Sequence, residues 1–207
     1  MLETSGPPEP DRRSAPAVAR NVEPIAEVLR GVLAARGLVL EVASGTGEHA
    51  LRFAREFPAL LFQPTDPEPA ALRSIEAWRA QDGLPNLLPA LALDVRATEW
   101  PVAAADAILC INMIHISPWA ATEGLMRGAA RLLAPDTTLY LYGPYRQAGV
   151  ETAPSNEAFD QSLRARDPEW GLRTLEDVAA ESEANGFRLD RIVAMPANNL
   201  SVVLRRL

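Results

Sequence analysis

Three acids occupy matching places in successive apolar runs: Glu41 in LVLEVA, Asp66 at the end of ALLFQPTD, and Asp94 at the end of LLPALALD. Between the first two, SGTGEHA sets Gly45 and Gly47 where an apolar run hands over to a helical one. Glycine there accepts positive φ and lets a ligand approach the backbone. The helix that follows offers free N–H groups at its first turn. GTGEHA also fits G-x-G-x-x-A, and Asp66 lies about 20 residues on, the spacing at which a dinucleotide site holds its ribose. Two ligands therefore compete, a nicotinamide dinucleotide and a nucleoside that carries positive charge. Glu41 favours the second. A carboxylate in that strand repels a pyrophosphate, and no lysine or arginine lies in the turn to meet phosphates. It can accept from an ammonium, directly or through water. S-adenosylmethionine offers an ammonium to Glu41, ribose hydroxyls to Asp66 and an adenine amino group to Asp94. Taken singly, Asp66 and Asp94 are equally ordinary caps of turns.

A second set of groups follows in NMIHISPW and YGPY. His115 is the candidate base, because imidazole titrates nearest neutrality; a hydrogen bond to a loop carbonyl is its structural alternative. Asn112 is a candidate partner of cofactor or acceptor. Tyr145, beyond its strand, is the second candidate catalytic group, whereas Tyr140 and Tyr142 share a strand face, so that at least one of them packs. Trp119 is a candidate pocket wall, and Ser117-Pro118 reads as N-cap and first residue of a helix. In SNEAFDQSLRARDPEWGLR, the residues Asn156, Arg166, Asp167, Trp170 and Arg173 form either an acceptor lid or a hydrogen-bonded brace. Asn198 is a further acceptor-site candidate, although turns favour Asn for its backbone alone. Arg20 and Asn21, read as preceding the first helix, are candidates for a cofactor carboxylate. His49 stands near a helix start, where a positive charge opposes the dipole. Cys110 reads as buried and inert, and two histidines and one cysteine, far apart, make no zinc pattern.

These residues need a scaffold, and the periodicity supplies one. Helical spacing runs from Val22 to Ala35 and stops at Gly37. Strand, helix and strand then alternate: LVLEVA, GEHALRFAREF, ALLFQPTD, a helix over 69–81, LLPALALDV, and the nearly all-apolar ADAILCINMI of a strand covered on both faces. ATEGLMRGAARLLAP reads as a helix ended by Pro135, and TTLYLYGPY as a fifth strand. Two further helices precede RLDRIVAMP and LSVVLRR, which ANN joins as a hairpin. Such alternation means a parallel sheet with helices on both faces, closed by an antiparallel pair. In an open sheet of this kind ligands bind at the carboxyl ends of the strands, where the winding reverses.

The 207 residues suit one domain, read as 14–207 after a poorly ordered tail at 1–13 rich in Pro and charge. A formal net charge of −7 lacks the basic footprint of a nucleic-acid binder. The start has no apolar signal region, no run is long enough to span a bilayer, and the single cysteine forms no internal disulfide. A cytoplasmic protein is expected, with a small-molecule substrate and without nucleic-acid or membrane partners.

EVASGTGEHA resembles motif I, E-x-x-x-G-x-G, of the class I S-adenosylmethionine-dependent methyltransferases. ARNVEPI, DPEPAALRSI, CINMIHISPW, TEGL, YGPY, SNEAFDQSLRARDPEWGLR and MPANN are similar to one uncharacterised methyltransferase-like family, over nearly the whole chain from about Arg20 onward. The resemblance implies a Rossmann-like class I methyltransferase fold, a seven-stranded mostly parallel sheet with an antiparallel C-terminal hairpin, and S-adenosylmethionine as cofactor. Glu41, Gly45, Gly47, Asp66 and Asp94 match the superfamily's cofactor motifs; Ser44 stands where the superfamily has glycine or aspartate. The expected cofactor site is these residues with Arg20, Asn21, Ala43, Ser44, His49, Val95 and Asn112. The expected catalytic groups are His115 and Tyr145, and the expected acceptor contacts Trp119, Asn156, Arg166, Trp170 and Asn198. Three readings compete with a small-molecule methyltransferase: a cofactor-binding protein without transfer, a macromolecular methyltransferase, and a NAD-dependent oxidoreductase.

Overall fold

A computed structural model describes residues 12–207. Six helices, α1 (Val18–Arg30), α2 (Glu48–Glu56), α3 (Pro69–Asp82), α4 (Trp119–Leu132), α5 (Pro154–Arg166) and α6 (Leu175–Ala184), surround seven strands among the described residues. The strands are β1 (Gly37–Val42), β2 (Leu60–Asp66), β3 (Leu91–Ala92), β4 (Ala105–Ile111), β5 (Leu133–Gly143), β6 (Phe187–Met195) and β7 (Asn199–Arg206). They form one sheet in the order β3-β2-β1-β4-β5-β7-β6. Neighbours pair in parallel except β7, which is antiparallel to both β5 and β6. The winding reverses beside β1, which pairs with β2 on one side and β4 on the other.

Alternation along the central strands divides the core into two layers. Leu40, Val42, Ile108, Cys110, Leu139 and Leu141 face α4 and α6. Val39, Leu109, Ile111, Tyr140 and Tyr142 face α1 and α2. Glu41 shares the face of Val39, so its carboxylate is carried into the second layer rather than into solvent.

Three boundaries differ from the sequence reading. Helix α1 begins at Val18 and ends at Arg30, because Val18, Ile25, Ala26 and Leu29 make one buried stripe and the Gly31 N–H closes the last turn on Val28 O. Arg20 and Asn21 therefore lie inside the helix. Strand β3 keeps only two residues of LLPALALDV. Leu88 N–H still bonds Phe62 O at 2.9 Å, but Pro89 has no N–H with which to continue the ladder. Strand β5 follows α4 without a loop and includes Pro135; a turn at Ala134–Thr137, with Asp136 at φ 63, shifts the register before the main pairing begins. The tail expected at 1–13 lies outside the described residues as far as position 11. Arg12 and Arg13 rest on α3, where Arg12 bonds Gln81 and stacks over Trp78, and Arg13 N–H donates to Ser74 Oγ at 2.9 Å.

Candidate active site

The parallel pairing brings the acids to one rim. Glu41 stands opposite Pro64 of β2 and Leu109 of β4, one residue before the end of β1; Asp66 ends β2 opposite Ala92 of β3; Asp94 follows β3 by two residues. The turn after β1 is bound tightly to the end of β2. Ser44 N–H donates to Thr65 O at 2.9 Å, Thr65 Oγ1 to Glu41 O at 2.9 Å, and Gly45 N–H to Asp66 Oδ2 at 2.9 Å. Asp66 Oδ1 accepts from Glu68 N–H at 2.9 Å, which leaves each carboxylate oxygen free to accept once more. Ala43, Gly45 and Gly47 all have positive φ, at 52°, 57° and 88°. A Cβ on Gly47 would lie 2.9 Å from Ile75 Cα, so that glycine serves helix packing, whereas a Cβ on Gly45 would meet nothing within 4 Å. Gly45 thus borders open space at the rim.

Glu41 is buried, and its Oε2 has no hydrogen-bond partner. Burial raises the carboxyl to about 8, against a hydrogen bond from Ser44 that lowers it, and the nearby Asp66 charge raises it further. Burial likewise raises Asp66. A cation placed here satisfies an orphaned oxygen and relieves the repulsion between two acids. An anion does neither. By this test the rim fits the ammonium and ribose of S-adenosylmethionine: Glu41 would take the former and Asp66 the latter.

One side of the rim is bordered by residues 13–15. Ala15 N–H donates to Glu48 Oε2 at 2.6 Å, and Ser74 Oγ, which accepts from Arg13, donates to Thr46 O at 2.8 Å. From α1, Asn21 Oδ1 meets His49 Nε2 at 2.9 Å, and its side chain also bonds the Tyr142 hydroxyl. Arg20 is exposed close to Tyr142. His49 is buried against Phe53 and held neutral by burial, with its pKa lowered to about 4. It packs and is not a free cofactor ligand.

Asn112, at φ 63, turns the chain out of β4 and donates its N–H to Tyr142 O at 2.9 Å. The segment that follows carries His115, which is buried beside Gly143 at the end of β5; a Cβ on Gly143 would lie 2.8 Å from His115 Cε1. Phe159 of α5, 37% exposed, meets the imidazole edge-on at 5.6 Å. Neither ring nitrogen is hydrogen-bonded within the described residues. Burial first, and the Arg173 charge second, lower its pKa to about 3, so the ring is neutral and its protonation is disfavoured until a partner at the site offsets that cost.

Several expected residues lie elsewhere. Tyr145 is packed in the core beneath α4 and α6, its buried hydroxyl without a partner and its pKa raised well above the usual value by burial. It is therefore corrected from catalytic group to core residue. Val95 is also a core residue, with its carbonyl against Gly124. Asp94 is taken up by Arg96, which binds both carboxylate oxygens and holds the carboxyl below its ordinary range. Asn156 Nδ2 donates to Asn198 O at 3.0 Å and Asn198 Nδ2 to Ser155 Oγ at 3.3 Å, so the two fasten α5 to the hairpin turn, where Ala197 and Asn198 both have positive φ. Arg166 stacks over Trp170 at 4.9 Å. Trp119 lines a separate cleft of about 580 Å³ with Leu172, Arg173, Thr174, Asp177, Ala180 and Glu181, between α4 and α6 rather than at the acidic rim. Ser117 does not cap α4; its hydroxyl donates to Met113 O at 2.8 Å and Pro118 takes the N-cap position. The sequence reading missed Phe159, Gly143 and Arg96. Only Phe159 had a signal, as the one aromatic residue of α5.

The strand order, the reversed β7 and the glycine turn facing Asp66 define the class I methyltransferase fold. Solved structures agree. An O-methyltransferase family protein from Burkholderia thailandensis superposes with a TM-score of 0.78 at 16% identity, over 92% of this chain and 57% of that one. CalO1, a methyltransferase in calicheamicin biosynthesis in its SAH-bound form, gives 0.73 at 20% identity, over 90% and 54%. The chain thus spans little more than half the length of these structures. A 16S rRNA (adenine(1408)-N(1))-methyltransferase from Streptoalloteichus hindustanus is 28% identical over 169 residues, 71% of this chain and 75% of that protein. The chain belongs to the family described as protein of unknown function (DUF938), which matches residues 12–206. Among the described residues no helix is long and apolar enough to cross a membrane.

Proposed function

We propose that this protein is an S-adenosylmethionine-dependent methyltransferase acting on a small-molecule acceptor. The observation that carries the reading is the unpartnered, buried Glu41 Oε2 beside the open face of Gly45. The cofactor, when bound, supplies an electrophilic methyl group on a sulfonium. Glu41 accepts from its ammonium, Asp66 from the ribose hydroxyls, and the backbone at Gly45 allows close approach. Asp94 reaches the adenine amino group only by sharing its carboxylate with Arg96. Asn112 orients the acceptor or the cofactor at the end of β4. As the acceptor's O or N would bond to the methyl carbon, the carbon–sulfur bond would break with its electron pair left on the demethylated cofactor, and His115 would take the proton that the acceptor loses. Phe159 covers the imidazole edge and offers an apolar surface to the acceptor. Burial around His115 and Gly143 excludes water from the reacting atoms.

The test is a labelled-methyl assay on cell extract separated into small-molecule, RNA and protein fractions. Label in the small-molecule fraction is expected. The relative that acts on 16S rRNA favours a second reading, an RNA acceptor; the net charge of −7 weighs against it. Label confined to RNA would establish that second reading. Absence of calorimetric heat with either S-adenosylmethionine or its demethylated product would overturn both.

A further inference from the structure

The segment that carries His115 is held from outside. Arg173 Nε donates to Ile114 O at 3.4 Å and its Nη2 to Ser117 O at 2.8 Å, so one guanidinium grips carbonyls on both sides of the histidine. The same Nη2 donates to Glu169 O at 2.6 Å, and Gly171 N–H donates to the carbonyl of His115 itself at 3.0 Å. The strap at 169–173 is seated in turn on α5. Buried Asp160 accepts Leu172 N–H at 2.7 Å on one oxygen, and Arg164 Nε at 2.9 Å and Arg146 Nη2 at 3.2 Å on the other. Phe159, the residue before it, touches the imidazole. Helix α5, the strap and the His115 segment are therefore coupled.

We propose, on the methyltransferase reading of this site, that Arg173 is a positioning residue: seated by Asp160, its guanidinium fixes the 112–118 segment so that the His115 imidazole is presented to the acceptor. The donor set supports more than a generic brace. All of its hydrogen bonds go to carbonyls, which leaves the positive charge uncancelled by direct contact. Arg164, Asp160 and Glu169 surround it at longer range. Phe159 and Gly143 lie against the imidazole, and Arg173 is the charged group that acts on it. Its charge therefore opposes protonation of the ring that its fork holds in place. A lysine would keep the charge and lose the fork.

The chain has two histidines, so an imidazole ¹H–¹³C spectrum holds two signals, which His115→Gln assigns. In the full chain the His115 signal is expected to stay in its neutral form down to the onset of acid unfolding. In Arg173→Gln its midpoint rises by about one pH unit or more, and hydrogen-exchange protection of the Gly171 amide falls about tenfold or more. In Arg173→Lys the protection is lost while the midpoint stays low. The His49 signal and a thermal melt report whether each variant is folded. Should Arg173→Gln not fold, Asp160→Asn unseats the strap with Arg173 intact and is expected to lower Gly171 protection as well. A folded Arg173→Gln chain in which the His115 signal, as in the wild type, stays neutral down to acid unfolding and Gly171 protection is unchanged overturns the proposal. Calorimetry of the wild-type chain with S-adenosylmethionine judges the methyltransferase reading separately: absent binding sinks that reading without altering either spectroscopic result.

Discussion

Replacing Glu41 by Gln should stabilise the empty protein at alkaline pH and weaken cofactor binding at the same time. The Glu41 carboxyl is raised from 4.5 to about 8 by burial. A carboxyl whose folded value exceeds its unfolded value binds more protons when folded, so its contribution is present below pH 4.5 and is lost as pH climbs through 8. The two histidines act in the opposite direction. Lowered from 6.5 to about 4 and about 3, they favour the unfolded chain as pH falls below 6.5. Stability should therefore peak near pH 6.5. From there to pH 8, Glu41 alone costs about 2 kcal/mol at 1.36 kcal/mol per pH unit, or roughly 4–8 °C in Tm for a domain of this size. Glu41→Gln should erase that decline. Binding of S-adenosylmethionine to the wild type should restore the carboxylate and release close to one proton at pH 7, read as a dependence of calorimetric heat on the ionisation enthalpy of the buffer. In the variant, proton release vanishes, and affinity falls about 10- to 100-fold with the loss of a charge-assisted hydrogen bond of about 1.5–3 kcal/mol. Wild-type binding without proton release, or an alkaline decline in Tm that persists in Glu41→Gln, would refute the assignment of the ammonium to Glu41.

Other residues give equally direct tests. Gly45→Ala places a methyl group in open space at φ 57, so urea unfolding should show a loss of only about 1–2 kcal/mol while calorimetry shows cofactor binding abolished or severely weakened. Gly47→Ala meets Ile75 and should cost more stability, about 2–4 kcal/mol. His115→Gln should lower methyl transfer roughly 100- to 10,000-fold in the labelled-methyl assay, with the calorimetric cofactor affinity retained; full transfer by that variant excludes the base. Asn21→Ala leaves His49 and Tyr142 without a shared partner and should destabilise by about 2 kcal/mol or more, measured as a fall in the urea midpoint.

The fold was legible because strands, helices and turn glycines alternate with few contradictions. Acids at strand ends can be placed from sequence, since parallel pairing alone puts Glu41 and Asp66 on one rim. Side-chain direction beyond a strand end could not. Tyr145 follows the glycine and proline of YGPY, and nothing in those letters says that the chain bends back and drives the ring into the core. Nor does the sequence reveal that Arg96, two residues after Asp94, folds back onto it, since its side chain has many equally extended rotamers. LLPALALDV reads as a strand by hydropathy; Pro89 interrupts its pairing with β2, so that the regular strand keeps only the two residues Leu91 and Ala92. Asn156 and Asn198, far apart in sequence, meet because the first turn of α5 lies against the turn between β6 and β7.

The rim divides its charge by position. On the β1–β3 side the acids are buried or half-buried, and one of them has an oxygen without a partner; on the β4–β5 side stands a buried imidazole kept neutral. A sulfonium ligand explains why both halves take this form. Its ammonium needs a carboxylate, but its methyl is the electrophile, and an imidazolium beside it would repel the cation and have no lone pair with which to accept a proton. Were the ligand a dinucleotide, the arrangement would be inverted, with buried acids against phosphates and no cation in the turn to offset them. Glu41 and His115 make opposite electrostatic demands a few residues from the same sheet edge, and a ligand with its charge at the Glu41 end and its reactive carbon toward His115 satisfies both.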